Sequence, residues 1–192
     1  MARQIQKRTL ETRARLVAAA EALIEQNGFE SLRVEEVVLK AGTAKGTFFA
    51  HFKDKDALMD QIIGGRIDRL LDDLAEIQAP QNVPETIEAL MPLCEFMTCE
   101  RYVFDLIYRY SGAAAIEEIG MIATTFGRQI EIVEGWLGNA PFRKDISTGL
   151  LAEGMQAFLM QAMAVNFCAL HNALSIRDRL APYLEAWLTP KV

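Results

Sequence analysis

A short stretch in the first third of the chain concentrates side chains that can bind phosphate and nucleobases. Lys45 and Lys55 offer ammonium groups to phosphate, and His51 can contact phosphate when it is protonated. Thr47 offers a hydroxyl group to phosphate and a methyl group to a base. Gly46 has no Cβ to block a close approach of its backbone to a sugar–phosphate chain. The alternatives are solvated lysines, a tolerated glycine and a histidine packed beneath a helix, so the surrounding elements must decide.

Two short helical patterns position these side chains. The first, residues 34–40, repeats valine at helical spacing. The second, residues 45–52, carries the apolar pair Phe48 and Phe52 four positions apart, which predicts that both rings are buried. Gly42, between the two patterns, supplies the positive φ that ends the first helix. The sequence therefore predicts a helix-turn-helix whose second helix enters the major groove of DNA.

Composition and charge are those of an ordered globular chain with a basic N-terminal end. Hydrophobic residues make up 51% of its 192 residues, and we expect neither a membrane span nor a signal peptide. The net charge of −6 is uneven, since residues 1–55 hold ten Lys/Arg and seven Asp/Glu whereas the remainder hold ten and nineteen. The basic residues near the start, which favour attraction to phosphate, are Arg3, Lys7, Arg8, Arg13 and Arg15.

The inventory of reactive groups argues against an enzyme. The chain has two histidines, no Gly-x-Ser-x-Gly motif, no glycine-rich phosphate loop and no metal-ligand spacing. We therefore expect no catalysis, no cofactor and no metal. Cys94, Cys99 and Cys168 show no disulfide framework, and they are interpreted as buried thiols of a protein in the reducing cytoplasm.

The other helical patterns predict an all-α chain of about nine helices, because no credible strand alternation occurs. A three-helix helix-turn-helix domain is expected over residues 1–54, and a larger helical domain over residues 55–192. Gly64 and Gly65 interrupt the fourth helix and mark either a hinge or a bend without regulatory meaning. The helices outside the helix-turn-helix are predicted over residues 9–27, 55–76, 84–97, 100–111, 113–137, 145–171 and 175–188, with Gly28, Gly112 and Gly138 as stop signals and Asp54 and Ser175 as N-caps.

Three motifs follow one another in the N-terminal region. They are Gly28-Phe29 at the end of the first helix, Gly42-Thr43-Ala44-Lys45-Gly46-Thr47-Phe48-Phe49 in the helix-turn-helix, and Phe52-Lys53-Asp54-Lys55-Asp56-Ala57-Leu58 before and within the fourth helix. With these motifs, residues 9–63 resemble the DNA-binding domain of the TetR (tetracycline-repressor-like) family of transcriptional regulators. The resemblance covers a little under a third of the chain, and the remainder agrees with the family in length and helix number.

The resemblance implies which residues contact DNA, and it also shows three departures from the family pattern. Arg33 stands where Ser or Thr commonly caps the second helix, and an arginine cannot accept the backbone N–H bond of a cap. Ala44 replaces a small polar residue, so Thr43 is expected to cap the third helix instead. Phe49 lacks the phenol that the family often offers to phosphate. The expected DNA-binding residues are Arg33, Thr43, Lys45, Gly46, Thr47, Phe49, His51 and Lys55.

The larger domain carries methionine and aromatic side chains that form either an apolar ligand cavity or a plain core. For any single residue of this set the core is the favoured interpretation. The ligand-binding candidates are Met91, Met97, Phe104, Tyr108, Met121, Thr125, Met155, Phe158, Met163 and Phe167. Further polar groups that could orient a ligand are Thr124, Gln129, Asn166 and His171.

The resemblance also implies a function for the whole chain. We expect a homodimeric repressor that binds a palindromic double-stranded DNA operator and is released by a small, mainly apolar effector. The larger domain would then be an effector-binding and dimerisation domain. Small residues along the eighth helix and an apolar ninth helix (Ile176, Leu180, Leu184, Trp187 and Leu188) favour a dimer interface on those two helices. The alternatives are an architectural dimer that binds DNA constitutively without an effector, and a C-terminal domain that receives a protein partner.

Overall fold

The computed structural model describes residues 2–111, 119–168, 170 and 173–190, with side chains from Lys7 onward. Within these ranges the chain forms nine α-helices and no strand, which confirms the predicted fold class. The helices are α1 (Ala2–Asn27), α2 (Val34–Lys40), α3 (Lys45–His51), α4 (Lys55–Glu76), α5 (Val83–Met97), α6 (Arg101–Tyr110), α7 (Met121–Asn139), α8 (Thr148–Asn166) and α9 (Ile176–Leu188). In the described part of the chain, no helix combines the length and the apolar character needed to cross a bilayer.

The chain divides into two compact units, Met1–Ile63 and Gly64–Val192. The division falls inside α4, whereas the sequence places the domain boundary between residues 54 and 55. Lys55 Nζ donates a hydrogen bond to the backbone carbonyl of Glu30 at 3.2 Å, and Leu58 is fully buried. The first turns of α4 therefore belong with the N-terminal unit.

Two glycines with positive φ set the course of the N-terminal unit. Gly28, at φ 83°, ends α1 after Asn27, and Gly42, at φ 61°, forms the turn between α2 and α3, as predicted for both. The bounds of α2 agree with the prediction, and those of α3 agree to within one residue. The predicted N-cap of α4 is also present, since Asp54 Oδ1 accepts a hydrogen bond from the backbone N–H of Ala57 at 2.8 Å. Side chains from all four helices are buried, among them Leu16, Ala20, Val37, Phe48, Phe52, Leu58 and Met59.

In the C-terminal unit, α8 packs against α7 and α9, and α9 packs against α5. Gly154 of α8 permits the contact with α9, because a Cβ at this position would lie 2.5 Å from ring atoms of Trp187. Trp187 Nε1 donates a hydrogen bond to the backbone carbonyl of Leu151 at 3.0 Å, which satisfies the indole in this half-buried place. Ser175 is the N-cap of α9, as predicted, since its Oγ accepts from the backbone N–H of Asp178 at 3.1 Å. The second bond is not that of the predicted capping box, because Ser175 Oγ donates to Asp178 Oδ2 at 2.7 Å.

Several predicted helix limits are wrong. Gly138 does not stop α7, which continues to Asn139. Near the end of this helix, Lys144 Nζ donates hydrogen bonds to the backbone carbonyls of Leu137 at 2.7 Å and Gly138 at 3.3 Å. The helix α8 starts at Thr148, later than predicted, and ends at Asn166, earlier than predicted. The predicted stop at Gly112, the predicted helical segment 113–118 and the residue His171 lie outside the described residues.

Two further expectations need correction. The glycines at 64 and 65 do not interrupt α4, which is continuous from Lys55 to Glu76. Gly64 lies against Met121, and a Cβ there would lie 2.6 Å from its Cγ and 2.7 Å from its backbone carbonyl carbon. The interpretation of all three cysteines as buried thiols is wrong for Cys99, which is exposed because it follows the end of α5 in the turn before α6, and only partly right for Cys168.

Candidate nucleic-acid interface and ligand site

The helix α3 presents one exposed face and anchors itself through the opposite one. Phe48 is fully buried, while the adjacent Phe49 is 50% exposed and its ring packs edge-on against that of Phe48, with centroids 5.3 Å apart. Lys45 and Gly46 are exposed, and no heavy atom outside its own helix backbone and chain neighbours would lie within 4 Å of a Cβ at Gly46. The exposed face therefore offers a cation, a bare backbone segment and an aromatic ring.

Thr47 and His51, also predicted to contact DNA, are half-buried on the same helix. Arg13 of α1 fixes the end of this helix, because its Nη1 donates to the backbone carbonyl of His51 at 2.6 Å. The Arg13 guanidinium also lies 4.2 Å from the ring centroid of Phe52. One member of the basic N-terminal cluster thus positions α3, a role that charge alone did not reveal. The side chain of Arg3 lies outside the described part.

The starts of α2 and α3 lack side-chain caps. Arg33 occupies the N-cap of α2 without a cap hydrogen bond, as its chemistry predicts. The expectation that Thr43 caps α3 is wrong, because the N-cap is Ala44 and the Thr43 hydroxyl is buried without a hydrogen-bond partner. The backbone N–H of Thr43 is bonded to the carbonyl of Val38 at 2.9 Å, which holds this residue in the turn.

Both predicted phosphate-binding lysines have protein partners. Lys45 Nζ lies 2.5 Å from Glu35 Oε1, which joins the first residue of α3 to the first turn of α2. The hydrogen bond from Lys45 lowers the pKa of the Glu35 carboxyl. Lys55 Nζ bonds to the Glu30 carbonyl, as described above. Sequence reasoning missed Glu35; the only signal for it is an acidic residue in the first turn of α2.

The predicted ligand-binding residues do not surround one cavity. Five of them are buried: Met97, Phe104, Thr125, Met155 and Met163. Where α5, α7 and α8 meet, Met97 and Met163 face a small void that has no space for a water molecule. The Thr125 hydroxyl donates to the backbone carbonyl of Ile122 at 2.7 Å, so it is satisfied within its own helix.

An open cleft large enough to hold a ligand lies between α6 and α8. Its volume is about 440 Å³, and its lining residues are Arg101, Phe104, Asp105, Tyr108, Ala157, Met160, Gln161 and Ala164. Phe104 packs against Phe167, with ring centroids 5.4 Å apart, so three of the predicted aromatic residues meet here or beside it. Arg101 Nε bonds to Asp105 at 2.8 Å, which places an ion pair at the edge of the aromatic surface.

The other predicted ligand residues lie elsewhere. Phe158 stacks on Tyr183 with ring centroids 5.2 Å apart, Met121 contacts Gly64, and Met91 is half-buried. A second groove, between α4 and α5, measures about 240 Å³ and contains none of the predicted residues. It is lined by Leu70, Asp73, Leu74, Ile77, Glu88, Ala89, Pro92 and Leu93.

The apolar stripe of α9 packs against other helices of the same chain. Ile176, Leu180, Leu184 and Leu188 are buried, and α9 packs against α5 and α8. These four residues are therefore part of the core of their own subunit, whereas Trp187 is half-buried; a dimer interface on α8 and α9 stays a prediction. The exposed face of α8 instead includes Leu150, which is 52% exposed, together with Glu153, Ala157 and Gln161.

Residues 16–62, which contain the helix-turn-helix, match the family of bacterial regulatory proteins called tetR. Two relatives carry the same kind of description. The HTH-type transcriptional regulator YvdT of Bacillus subtilis (strain 168) is 23% identical over 137 residues, 71% of this chain and 70% of that protein. The HTH-type transcriptional regulator AcrR of Shigella flexneri is 36% identical over 62 residues, 32% of this chain and 29% of that protein.

The likeness of fold extends over both units. Thermus thermophilus FadR, described as a TetR-family transcriptional repressor in complex with lauroyl-CoA, superposes with a TM-score of 0.66 at 16% identity, over 94% of this chain and 97% of that one. The match to the tetR family covers the helix-turn-helix and its flanking helices, so residues 16–62 form a TetR-type DNA-binding domain. With this domain the chain is a transcriptional regulator that binds DNA.

Proposed function

We propose that this protein represses transcription as a homodimer on a palindromic operator, from which a small, mainly apolar effector releases it. The observation that carries the DNA-binding part is the exposed face of α3, held in place by the buried Phe48 ring and by Arg13. Lys45, Gly46 and Phe49 on this face are the candidates for contact with the major groove. A two-fold dimer would present two such helices to successive major grooves.

The proposed DNA contacts divide by chemistry. Arg33, Lys45 and Lys55 bind phosphate, and Thr47, Phe49 and His51 contact bases, sugar or phosphate beside the bare backbone of Gly46. Thr43 receives less support than the others, because its hydroxyl group is buried in the turn before α3.

The DNA-binding test uses Lys45→Ala and Lys55→Ala. Each should weaken binding and reduce the slope of log affinity against log salt concentration by about one, because one phosphate contact is lost. Lys144→Ala is the matched control, since it removes the same charge from the C-terminal unit. Wild-type affinity and slope in both variants would refute the assignment of this face to DNA.

The cleft between α6 and α8 supports the effector proposal. Its 440 Å³ falls within the range of about 300–1,000 Å³ typical of ligand pockets, whereas the α4–α5 groove is smaller. Phe104 and Tyr108 would contact the apolar body of the ligand. The effector would act by preferring a conformation of the dimer in which the two recognition helices no longer match the operator.

The effector test begins with selection of bound fragments from genomic DNA, which yields the operator. Small apolar compounds are then screened for release of the protein from that fragment. Tyr108→Ala should abolish release and leave DNA affinity unchanged, because Tyr108 is exposed and its loss removes only the cleft surface. Release that is unaffected by Tyr108→Ala would remove the effector site from this cleft.

A second candidate is a dimer that binds DNA constitutively. The observation in its favour is the filled interior at Met97 and Met163, where a water molecule does not fit. It predicts that no compound in the screen changes DNA affinity.

The dimer is proposed to form through the exposed face of α8 near its start, around Leu150 and Glu153, and through the exposed face of α9. Ala157 and Gln161, further along α8, line the proposed effector cleft. Leu150 is the largest apolar side chain that α8 leaves exposed. Leu150→Glu should dissociate the dimer in analytical ultracentrifugation and weaken operator binding with it, whereas Ile77→Glu, at an exposed position outside both helices, should do neither. A Leu150→Glu protein that remains dimeric would place the interface elsewhere.

A further inference from the structure

Lys45, which we propose to bind phosphate in DNA, forms an ion pair with Glu35 in the free protein. Lys45 Nζ and Glu35 Oε1 are 2.5 Å apart, and both side chains are well exposed, at 58% and 66%. A second carboxylate, Glu36, follows on the same turn and is exposed as well. An acidic first turn beside the recognition helix is unfavourable for binding a polyanion, so its presence calls for an explanation.

We propose that Glu35 is a specificity-determining residue, which holds the Lys45 ammonium in the free protein and must be displaced by a phosphate for Lys45 to bind DNA. This inference rests on the proposed function, because it requires that Lys45 contacts phosphate in the operator complex. Glu35 would thereby act against loose electrostatic binding to DNA of any sequence.

The exchange is physically easy. Exposed ion pairs contribute little to stability, because water already screens both charges and the long side chains lose freedom when they pair. A phosphate at the right place can therefore replace Glu35 at small cost. A phosphate that is not well placed leaves the pair intact, and Lys45 then contributes no counterion release to that complex.

A difference between operator and random DNA follows from this competition. Non-specific binding is almost entirely electrostatic, so it suffers most when one of its cations is already neutralised. In the operator complex, register and base contacts hold the phosphate against Lys45, and the pair is broken in any case. Removal of Glu35 should therefore strengthen binding to random DNA more than binding to the operator.

The experiment measures affinity for a random-sequence duplex and for the selected operator fragment at several salt concentrations. Glu35→Gln should raise the affinity for the random duplex about fivefold, steepen its salt dependence by about one unit of slope, and lower the ratio of operator to random affinity. Glu36→Gln is the matched control, because it removes the same charge from the neighbouring position. It should produce a smaller rise that is similar for both duplexes.

A variant with both Lys45→Ala and Glu35→Gln separates the effect of the ion pair from the effect of removing a negative charge. In a Lys45→Ala background, the effect of Glu35→Gln should shrink to that of Glu36→Gln, because Glu35 no longer has the ammonium to hold. Equal effects of Glu35→Gln in the two backgrounds would overturn the inference. So would a loss of affinity in Glu35→Gln, since that would show that the pair positions α3 for binding.

The two levels of proposal fail in different ways. If Lys45→Ala binds DNA as the wild type does, the proposed DNA-binding face is wrong. If Lys45→Ala weakens binding while Glu35→Gln and Glu36→Gln behave alike, only the role of Glu35 is refuted.

Discussion

The two units of this protein use glycine for different physical purposes. In the N-terminal unit, Gly28 and Gly42 adopt φ values of 83° and 61°, which side chains with a Cβ rarely tolerate. In the C-terminal unit, Gly64 and Gly154 are needed for space, because a Cβ would collide with Met121 or with Trp187. The first requirement is local and is visible in the turn pattern of the sequence. The second depends on a helix distant in the chain, so no local pattern announces it.

Aromatic residues show the same contrast. Phe48 and Phe49 are neighbours on a seven-residue helix, and helical geometry sends one ring into the core and the other to the surface. Phe158, Tyr183 and Trp187 come from two helices and pack on one another, which neither helix predicts alone. The following experiments test this division between local and tertiary causes.

The largest effect is expected for the two adjacent phenylalanines. Phe48→Ala should lower the free energy of unfolding by about 3–5 kcal/mol, because it removes a fully buried ring. Phe49→Ala should change stability by less than about 1 kcal/mol, since half of its ring is exposed, but it should weaken DNA binding. Urea unfolding followed by circular dichroism measures the first quantity. Equal stability losses in both variants would contradict the assignment of buried and exposed rings.

A methyl group at Gly154 should cost about 1–3 kcal/mol, because it overpacks the contact with Trp187. The tryptophan fluorescence spectrum should shift as the indole is displaced from its bond to the Leu151 carbonyl. Gly127→Ala in α7, where no such neighbour lies within 4 Å, is the control and should stabilise the protein by up to about 1 kcal/mol. Stabilisation by Gly154→Ala would mean that this contact is absent in solution.

The adjacent glycines of α4 should respond in opposite directions. Gly64→Ala should cost about 1–3 kcal/mol, because the new Cβ would meet both the side chain and the backbone of Met121. Gly65→Ala has open space and should gain up to about 1 kcal/mol from helix propensity. Thermal unfolding of the two variants compares them directly. If both stabilise, the pair is simply a weak point of the helix, as the sequence suggested.

Substitutions at the two glycines of the helix-turn-helix should distinguish a glycine required for its backbone conformation from one required for contact with DNA. Gly42→Ala should cost about 1–2 kcal/mol through its positive φ alone, since nothing lies within 4 Å of the added methyl group. Gly46→Ala should leave stability unchanged or slightly raised, yet weaken DNA binding if the backbone approaches DNA closely. Both readouts are needed, namely chemical denaturation and fluorescence anisotropy on DNA. Unimpaired DNA binding by Gly46→Ala would show that this glycine is merely tolerated.

The smallest effects concern the chemical reactivity of the thiols. Burial raises the pKa of the Cys94 thiol to about 12, so it should not react with a thiol reagent at pH 8. Cys99 is exposed and should react in the native protein. Labelling followed by mass spectrometry of peptides identifies the modified residue. Native labelling of Cys94 would contradict its buried position.

Most of the N-terminal unit could be predicted because short-range rules decide it. Valine spacing, glycine turns and the Asp54 cap each act within a few residues, and the structure reproduces them. The predictions that failed depend on contacts between residues that are far apart in the chain or on different helices. The partner of Lys45 is ten positions away on another helix, and Thr43 is held by the carbonyl of Val38 rather than used as a cap.

In the C-terminal unit, the predicted helices formed but the uses of their side chains could not be assigned. Methionine and aromatic residues suit a core, a ligand cleft and an interface equally well, since apolar burial has no direction. Three of the ten predicted ligand residues line or adjoin the α6–α8 cleft, whereas the apolar stripe of α9 turned out to pack inside its own chain.

The sequence alone determined that the described chain is helical, where the helix-turn-helix lies and which family of DNA-binding domains it resembles, because periodicity and glycine conformation act locally. Only the tertiary structure decided which apolar residues are core, that Gly64 and Gly154 admit Met121 and Trp187, and that Glu35 holds Lys45. These outcomes depend on which helix faces pack together. Packing is a property of pairs of surfaces, and residue spacing within one helix does not contain it.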